Sequence, residues 1–146
     1  MEPTIYLFFN GNCLEAMTHY AETQGGEVGG VFRNAEAPDA ESRMPGGDHL
    51  VMNMAMKLGA ATVMAPDAAE GMYSKPQGFA VSISPPSRAE FDRIFEALAR
   101  EAKSVTMPPG ETFWAERFAL FTDRFGTPWM LNYAGAKAAN EKWAPQ

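Results

Sequence analysis

The stretch Gly78–Leu98 reads GFAVSISPPSRAEFDRIFEAL, and two different periods meet inside it. From Gly78 to Ser84 apolar and small polar residues alternate, the period-two signal of a half-buried strand. Pro85-Pro86 ends that strand, and Ser87 followed by Glu90 has the spacing of a capping box. Phe91, Ile94, Phe95, Leu98 and Ala102 then fall along one stripe of a helix. A strand passing through a short turn into an amphipathic helix is the unit around which the rest of the chain can be ordered.

The same unit occurs near the start. Thr4 to Phe9 is apolar and aromatic, Asn10-Gly11-Asn12 breaks it, and Asn12 with Glu15 repeats the capping-box spacing. Leu14, Met17, Tyr20 and Ala21 share a helical face, and Gly25-Gly26 supplies the stop. Strands are expected from Glu27 to Arg33, from His49 to Lys57 and from Thr62 to Ala65, the last two joined by a turn at Leu58-Gly59-Ala60-Ala61. After the second helix, strands are expected at Ser104–Met107, Phe113–Thr122 and Pro128–Tyr133, with a hairpin turn at Asp123-Arg124-Phe125-Gly126. A tail from Ala136 to Trp143 reads as a short helix. The expectation is an α+β fold, one domain over residues 1–146, holding an internal βαβββ repeat at about 3–67 and 77–134.

Composition sets the outer bounds. A chain of 146 residues, 46% hydrophobic and 21% charged, has the makeup of a globular domain with its own core. Its formal net charge of -6 and lack of a Lys/Arg cluster argue against a nucleic-acid partner. The opening Met-Glu-Pro-Thr is not the basic start of an export signal, and no apolar run approaches the roughly 18 residues of a membrane span. One cysteine, Cys13, permits no internal disulfide, which suits a reducing cytoplasm.

Two sheets, each with a helix on one face, would leave a concavity as the candidate site. Strict alternation in His49–Lys57 puts Met52, Met54 and Met56 on one side and Val51, Asn53 and Ala55 on the other. If the Met face packs on the helices, Asn53 faces the hollow; otherwise it hydrogen-bonds a neighbouring strand or sits at the surface. Phe8 on the first strand, and Trp114, Glu116, Arg117, Met130 and Asn132 downstream, complete the ligand-binding candidates: aromatics to stack, polar groups to orient. Ten methionines suit core filling or an adaptable pocket. Cys13 opens the first helix but has no evident base beside it, so a buried small side chain is its simpler role. His19 and His49 read as surface and strand-end residues. No phosphate-cradling Gly-rich loop, His-Glu-x-x-His helix or Gly-x-Ser-x-Gly elbow is present.

Asn10-Gly11-Asn12-Cys13-Leu14-Glu15-Ala16-Met17, then Tyr20 and Gly25-Gly26-Glu27, then Thr112-Phe113-Trp114 and Asp123 through Asn132 together resemble the PhnB-like family. That family belongs to the glyoxalase/bleomycin resistance/dioxygenase, or vicinal oxygen chelate, superfamily, and the likeness runs from about Pro3 to Tyr133. The resemblance implies paired βαβββ modules with half-barrel sheets around a cleft, commonly assembled as homodimers. It also implies, for the superfamily's enzymes, a divalent metal held by His and Glu on cleft-facing strands. This chain departs from that pattern: Thr4–Asn10 has no His, Asn53 stands where relatives usually place one, and the last strand offers Met130, Asn132 and Ala134 with no Glu.

Two readings of different class result. The first is a metal-free homodimer that binds an unidentified small molecule, with no cofactor. The alternative is a vicinal-oxygen-chelate metalloenzyme, lyase or dioxygenase-like, with an atypical site built around Asn53 with Glu116 or His49. Relatives of this kind are often labelled as a demethylubiquinone methyltransferase. Nothing here resembles a methyl-donor loop, so methyl transfer is not expected.

Overall fold

Residues 1–140 are described by a computed structural model, in which strand, helix and three strands succeed one another twice. The chain divides into two units, the first spanning Met1–Lys75 and the second beginning at Pro76. In the first, β1 (Ile5–Tyr6) leads to α1 (Cys13–Gln24), β2 (Glu27–Arg33), β3 (Val51–Leu58) and β4 (Ala61–Ala65). In the second, β5 (Val81–Ile83) leads to α2 (Arg88–Ala99), β6 (Ser104–Gly110), β7 (Arg117–Thr122) and β8 (Pro128–Tyr133). Each unit has one four-stranded sheet, ordered β1-β4-β3-β2 and β5-β8-β7-β6. The first strand lies parallel to the last in both sheets, and every other pairing is antiparallel. The architecture is α+β, as expected.

The second unit follows its sequence pattern closely. Ser87 has an extended backbone and its Oγ accepts from the Glu90 backbone N–H at 3.1 Å, closing the N-terminus of α2. The reciprocal half of the box is not made, because the Glu90 carboxylate accepts from Arg93 instead. Phe91, Ile94 and Leu98 are buried, and full burial of Phe91 or Leu98 contributes about 1.5–3 kcal/mol each. The helix stops before Ala102: Arg100 turns extended and Glu101 takes a positive φ of 57°. Strand β6 runs on through Pro108-Pro109, which an edge strand tolerates because one side needs no ladder donors. Phe113 to Glu116 is not strand. Thr112 Oγ1 accepts from the Ala115 N–H at 3.0 Å and folds those residues into a turn ahead of β7.

The first unit departs more. Strand β1 is only two residues long, although the pairing expected to Phe9 continues as Leu7 N–H to Met64 O and Phe9 N–H to Pro66 O. Asn12 does not cap α1 with its side chain; its Oδ1 is buried without a partner. Asp67, 2% exposed, does that work from the end of β4: its Oδ1 accepts from the Gly11 and Cys13 N–H groups at 2.9 and 3.0 Å. Its Oδ2 accepts from the Val51 N–H at 2.9 Å, so one carboxylate joins the turn before α1 to the start of β3. At the other end Gly25 takes a φ of 68° and closes the helix as expected. Leu58 pairs with Ala61 across a two-residue turn, for which Gly59 supplies the positive φ of 61°.

The long connection between β2 and β3 is shaped by Asn34, 1% exposed, whose amide donates to Met44 O and Gly47 O and accepts from the Met44 N–H. Hydrogen bonds from the Ser42 hydroxyl and backbone hold the exposed Asp39 carboxyl below its usual pKa. The expected tail helix is a 3-10 segment, Gly135–Asn140; Trp143 lies outside the described residues. Among the described residues no helix is long and apolar enough to cross a membrane.

Candidate functional site

Pairing in the second sheet sorts its residues by face. Phe121 opposite Trp129 and Ala119 opposite Leu131 are buried on the side that carries α2. Phe118 opposite Asn132 and Leu120 opposite Met130 therefore occupy the other face. On that face lies a cavity of about 830 Å³. Trp114, Phe118 and Met130 supply its apolar wall, while Ser82, Ser84 and Asn132 supply polar groups. Pro85-Pro86 and the backbone from Tyr133 to Gly135 complete the rim.

The aromatic wall is a chain of edge-on contacts. Phe113, 86% exposed, meets the Trp114 ring at a centroid distance of 4.8 Å, and Trp114 meets Phe118 at 5.3 Å. Interplanar angles of 82° and 78° make both contacts edge-to-face, the arrangement the ring quadrupoles favour. Asn132 lines the cavity with its Oδ1 shielded from water and without a hydrogen-bond partner.

The charged candidates are engaged elsewhere. Arg117 lies on the α2 side of the sheet, with its guanidinium 5.5 Å from the centre of the Phe91 ring and its Nε donating to Asp92 Oδ1 at 2.6 Å. It does not line the cavity, which corrects the placement drawn from its neighbours in the sequence; the single-residue alternation of β7 turns it away. Glu116 stands behind the rim, where its Oε2 accepts from the Ala136 N–H at 2.8 Å. Gly135 makes room for that carboxylate: a Cβ there would sit 1.5 Å from Oε2, and its φ is 57°. Lys137 extends the strap by donating to Thr112 O and pairing with Glu111 at 3.5 Å. Glu116 and Lys137 thus fix the rim segment against the turn that carries Trp114. Sequence reasoning missed Ser82, Ser84 and Gly135; the alternation of β5 was the available signal for the two serines.

Phe8 and Asn53 belong to the first unit. Met54 and Met56 are buried there and Met52 only partly, so Asn53 is on the opposite side of β3. Its Oδ1 accepts from Tyr6 Oη at 3.1 Å, a bond that reaches past the intervening β4 to β1 rather than to an adjacent strand. Tyr6 and Phe8, ring centroids 5.4 Å apart, are each 47% exposed.

Cys13 is fully buried at the start of α1. Burial, reinforced by the Asp67 carboxylate, pushes its thiol well above the usual range, which is the opposite of what a nucleophile needs. Among the described residues no three His, Cys, Asp or Glu side chains come together to hold a metal ion. His49 is exposed ahead of β3, and Asn53 already accepts from a tyrosine. The divalent ion of the superfamily's enzymes does not fit these donors.

Comparison with known proteins places this geometry. Protein PA1353 from Pseudomonas aeruginosa is 36% identical, with a TM-score of 0.81 over 91% of this chain and 97% of its own. The fold is also that of a putative 3-demethylubiquinone-9 3-methyltransferase, PhnB protein, from Bacillus cereus. That protein is 22% identical, with a TM-score of 0.78 over 92% of this chain and 100% of its own. A member of the glyoxalase/bleomycin resistance protein/dioxygenase superfamily from Sphaerobacter thermophilus shares the fold at 20% identity, with a TM-score of 0.52 over 91% of this chain and 98% of its own. A family model described as 3-demethylubiquinone-9 3-methyltransferase matches residues 2–132. The chain therefore belongs to that PhnB-like family, and its fold is the glyoxalase/bleomycin resistance fold.

Proposed function

We propose that this protein binds an organic small molecule in the cavity of its second unit, without a resident metal ion and without catalysing methyl transfer. The observation that carries the reading is the cavity itself, about 830 Å³ with Trp114, Phe118 and Met130 along one wall and Asn132 among them. Such a lining suits capture of a flat apolar body, with one amide to orient it. The donor set supports the metal-free part: Asn53 accepts from Tyr6, Glu116 accepts from Ala136, and Arg117 is held by Asp92. Against methyl transfer stands the topology, since neither sheet is the doubly wound kind whose strand-to-helix loop cradles a nucleotide-like donor. Homodimeric assembly and a reducing, cytoplasmic location complete the proposal; the first rests on the family's habit, the second on a lone buried thiol.

Thermal-shift and 1H–15N NMR screening of flat aromatic compounds tests it, with light scattering for the dimer and metal analysis of protein purified without chelators. A ligand at a hundredfold excess over its Kd stabilises by about 2.7 kcal/mol and raises the melting temperature. Its NMR shifts are expected at Trp114, Met130 and Asn132. A well-folded protein that responds to no compound, or stoichiometric metal in the purified chain, overturns the reading.

A further inference from the structure

Resting on that binding role, we infer that the ligand of the second-unit cavity is an uncharged aromatic molecule that presents an N–H or O–H donor to Asn132. The lining carries the first part. All eleven residues around the cavity are uncharged, from Ser82 and Ser84 through Trp114 and Phe118 to Tyr133 and Gly135. The charged side chains that follow Trp114 in the sequence are spent on the protein: Glu116 on the Ala136 N–H, Arg117 on Asp92 and the Phe91 ring. An ionised ligand would give up hydration here and meet no opposite charge among the lining residues, and the Glu116 carboxylate beside Gly135 is already bonded to the Ala136 N–H, so charge counts against binding. The net charge of -6 therefore does not select a cationic ligand at this site.

Asn132 carries the second part. Its Oδ1 is shielded from solvent and accepts no hydrogen bond, a state that is unfavourable for a buried amide oxygen. A partial turn about χ2, a soft torsion for Asn, is enough to bring Oδ1 to the edge of the cavity that the side chain lines; a half turn would only put Nδ2 in the shielded position. The unmet demand is for a donor. A flat ring against Trp114 with a donor on one edge answers both features with a single molecule.

Four matched naphthalenes test this on the full chain by calorimetry and 1H–15N NMR at pH 7: 2-naphthol, 2-methoxynaphthalene, 2-naphthoate and 2-naphthylmethylammonium. The expected result is that 2-naphthol binds about five- to tenfold tighter than its methyl ether, the value of one hydrogen bond. Both charged compounds are expected to be weaker still. In Asn132→Leu, and in Asn132→Ala as a second variant should the first not fold, the naphthol and its ether become equal. Equal binding of that pair to the native protein, with NMR shifts at the cavity, overturns the donor inference and leaves the binding role standing. Tighter binding of either ion overturns the inference of an uncharged ligand. Failure of all four to bind a folded protein counts against the binding role itself.

Discussion

Trp129 Nε1 donates to Asp123 Oδ2 at 2.8 Å, inside the turn between β7 and β8, with both side chains almost wholly buried. The other carboxylate oxygen accepts from the Phe125 and Thr127 N–H groups at 2.9 and 3.0 Å. One acidic side chain thus shapes the turn and holds the largest buried ring of the second unit. Its strand, β8, also carries Met130 and Asn132 to the cavity.

Asp123→Ala leaves an indole N–H and two backbone N–H groups without this acceptor in a buried site. A loss of about 3 kcal/mol is expected, with a smaller loss for Asp123→Asn, which keeps one oxygen. Urea unfolding followed by Trp fluorescence measures both. Equal stability of Asp123→Ala and the native chain would show that water replaces the carboxylate.

Asp67 and Asn12 make a contrasting pair at α1. Asp67→Ala removes the acceptor of three backbone N–H groups, and a loss of about 2–4 kcal/mol is expected. Asn12→Ala is expected to cost nothing and to stabilise by up to about 1 kcal/mol, since its side chain caps nothing and its buried Oδ1 has no partner. Denaturant titration of the two variants separates this arrangement from a conventional Asn cap, which would reverse their order.

The Cys13 thiol gives a pH signature. Its folded pKa is raised by burial and by Asp67, so above the unfolded value of about 8.5 the unfolded chain has lost a proton that the native chain retains. Stability then falls with rising pH, by up to about 1.4 kcal/mol per pH unit. The contribution is fully present below pH 8 and is lost across the alkaline range. Unfolding at pH 8, 9.5 and 10.5 should show a steeper decline for the native chain than for Cys13→Ala. Native Cys13 should also resist alkylation until denaturant is added.

Gly135→Ala tests the rim. The new Cβ would collide with the Glu116 carboxylate, and the positive φ adds a cost of about 1–2 kcal/mol for any residue with a side chain. Glu116→Ala in the same chain relieves the collision and leaves only the backbone cost. A double-mutant cycle is expected to show favourable coupling between the two changes, read both as melting temperature and as affinity for 2-naphthol. Additive effects would mean that Glu116 moves aside freely.

Much of the architecture was legible because it rests on local signals. The stripe Phe91, Ile94, Leu98, the Ser87 cap and the turn glycines Gly25 and Gly59 act within a few residues of where they stand. The features that escaped depend on residues brought from afar. Asn12 and Glu15 have capping-box spacing, yet the Asn12 backbone, φ -118° and ψ 26°, is not the extended one a side-chain cap uses, and Asp67, more than fifty positions away, takes the Gly11 and Cys13 N–H groups instead. At the site, Trp114, Met130 and Asn132 were legible as pocket residues by type and strand position, and they do line one cavity. Arg117 was grouped with Glu116 and Trp114 by closeness in sequence, whereas strand alternation sends it, with Ala119 and Phe121, to the α2 side of β7. Phe8 and Asn53 belong to the first unit.

The parallel seam in each sheet, β1 on β4 and β5 on β8, has a consequence in time. Ile5 cannot find its partner Val63 until nearly sixty further residues exist, and Val81 waits almost as long for Trp129. During synthesis, at about 5–20 residues per second, each leading strand is therefore without its neighbour for several seconds. The helix and the hairpin of β3 and β4, which need only nearby residues, are free to form in that interval, and joining the leading strand is the late, slow act of each unit.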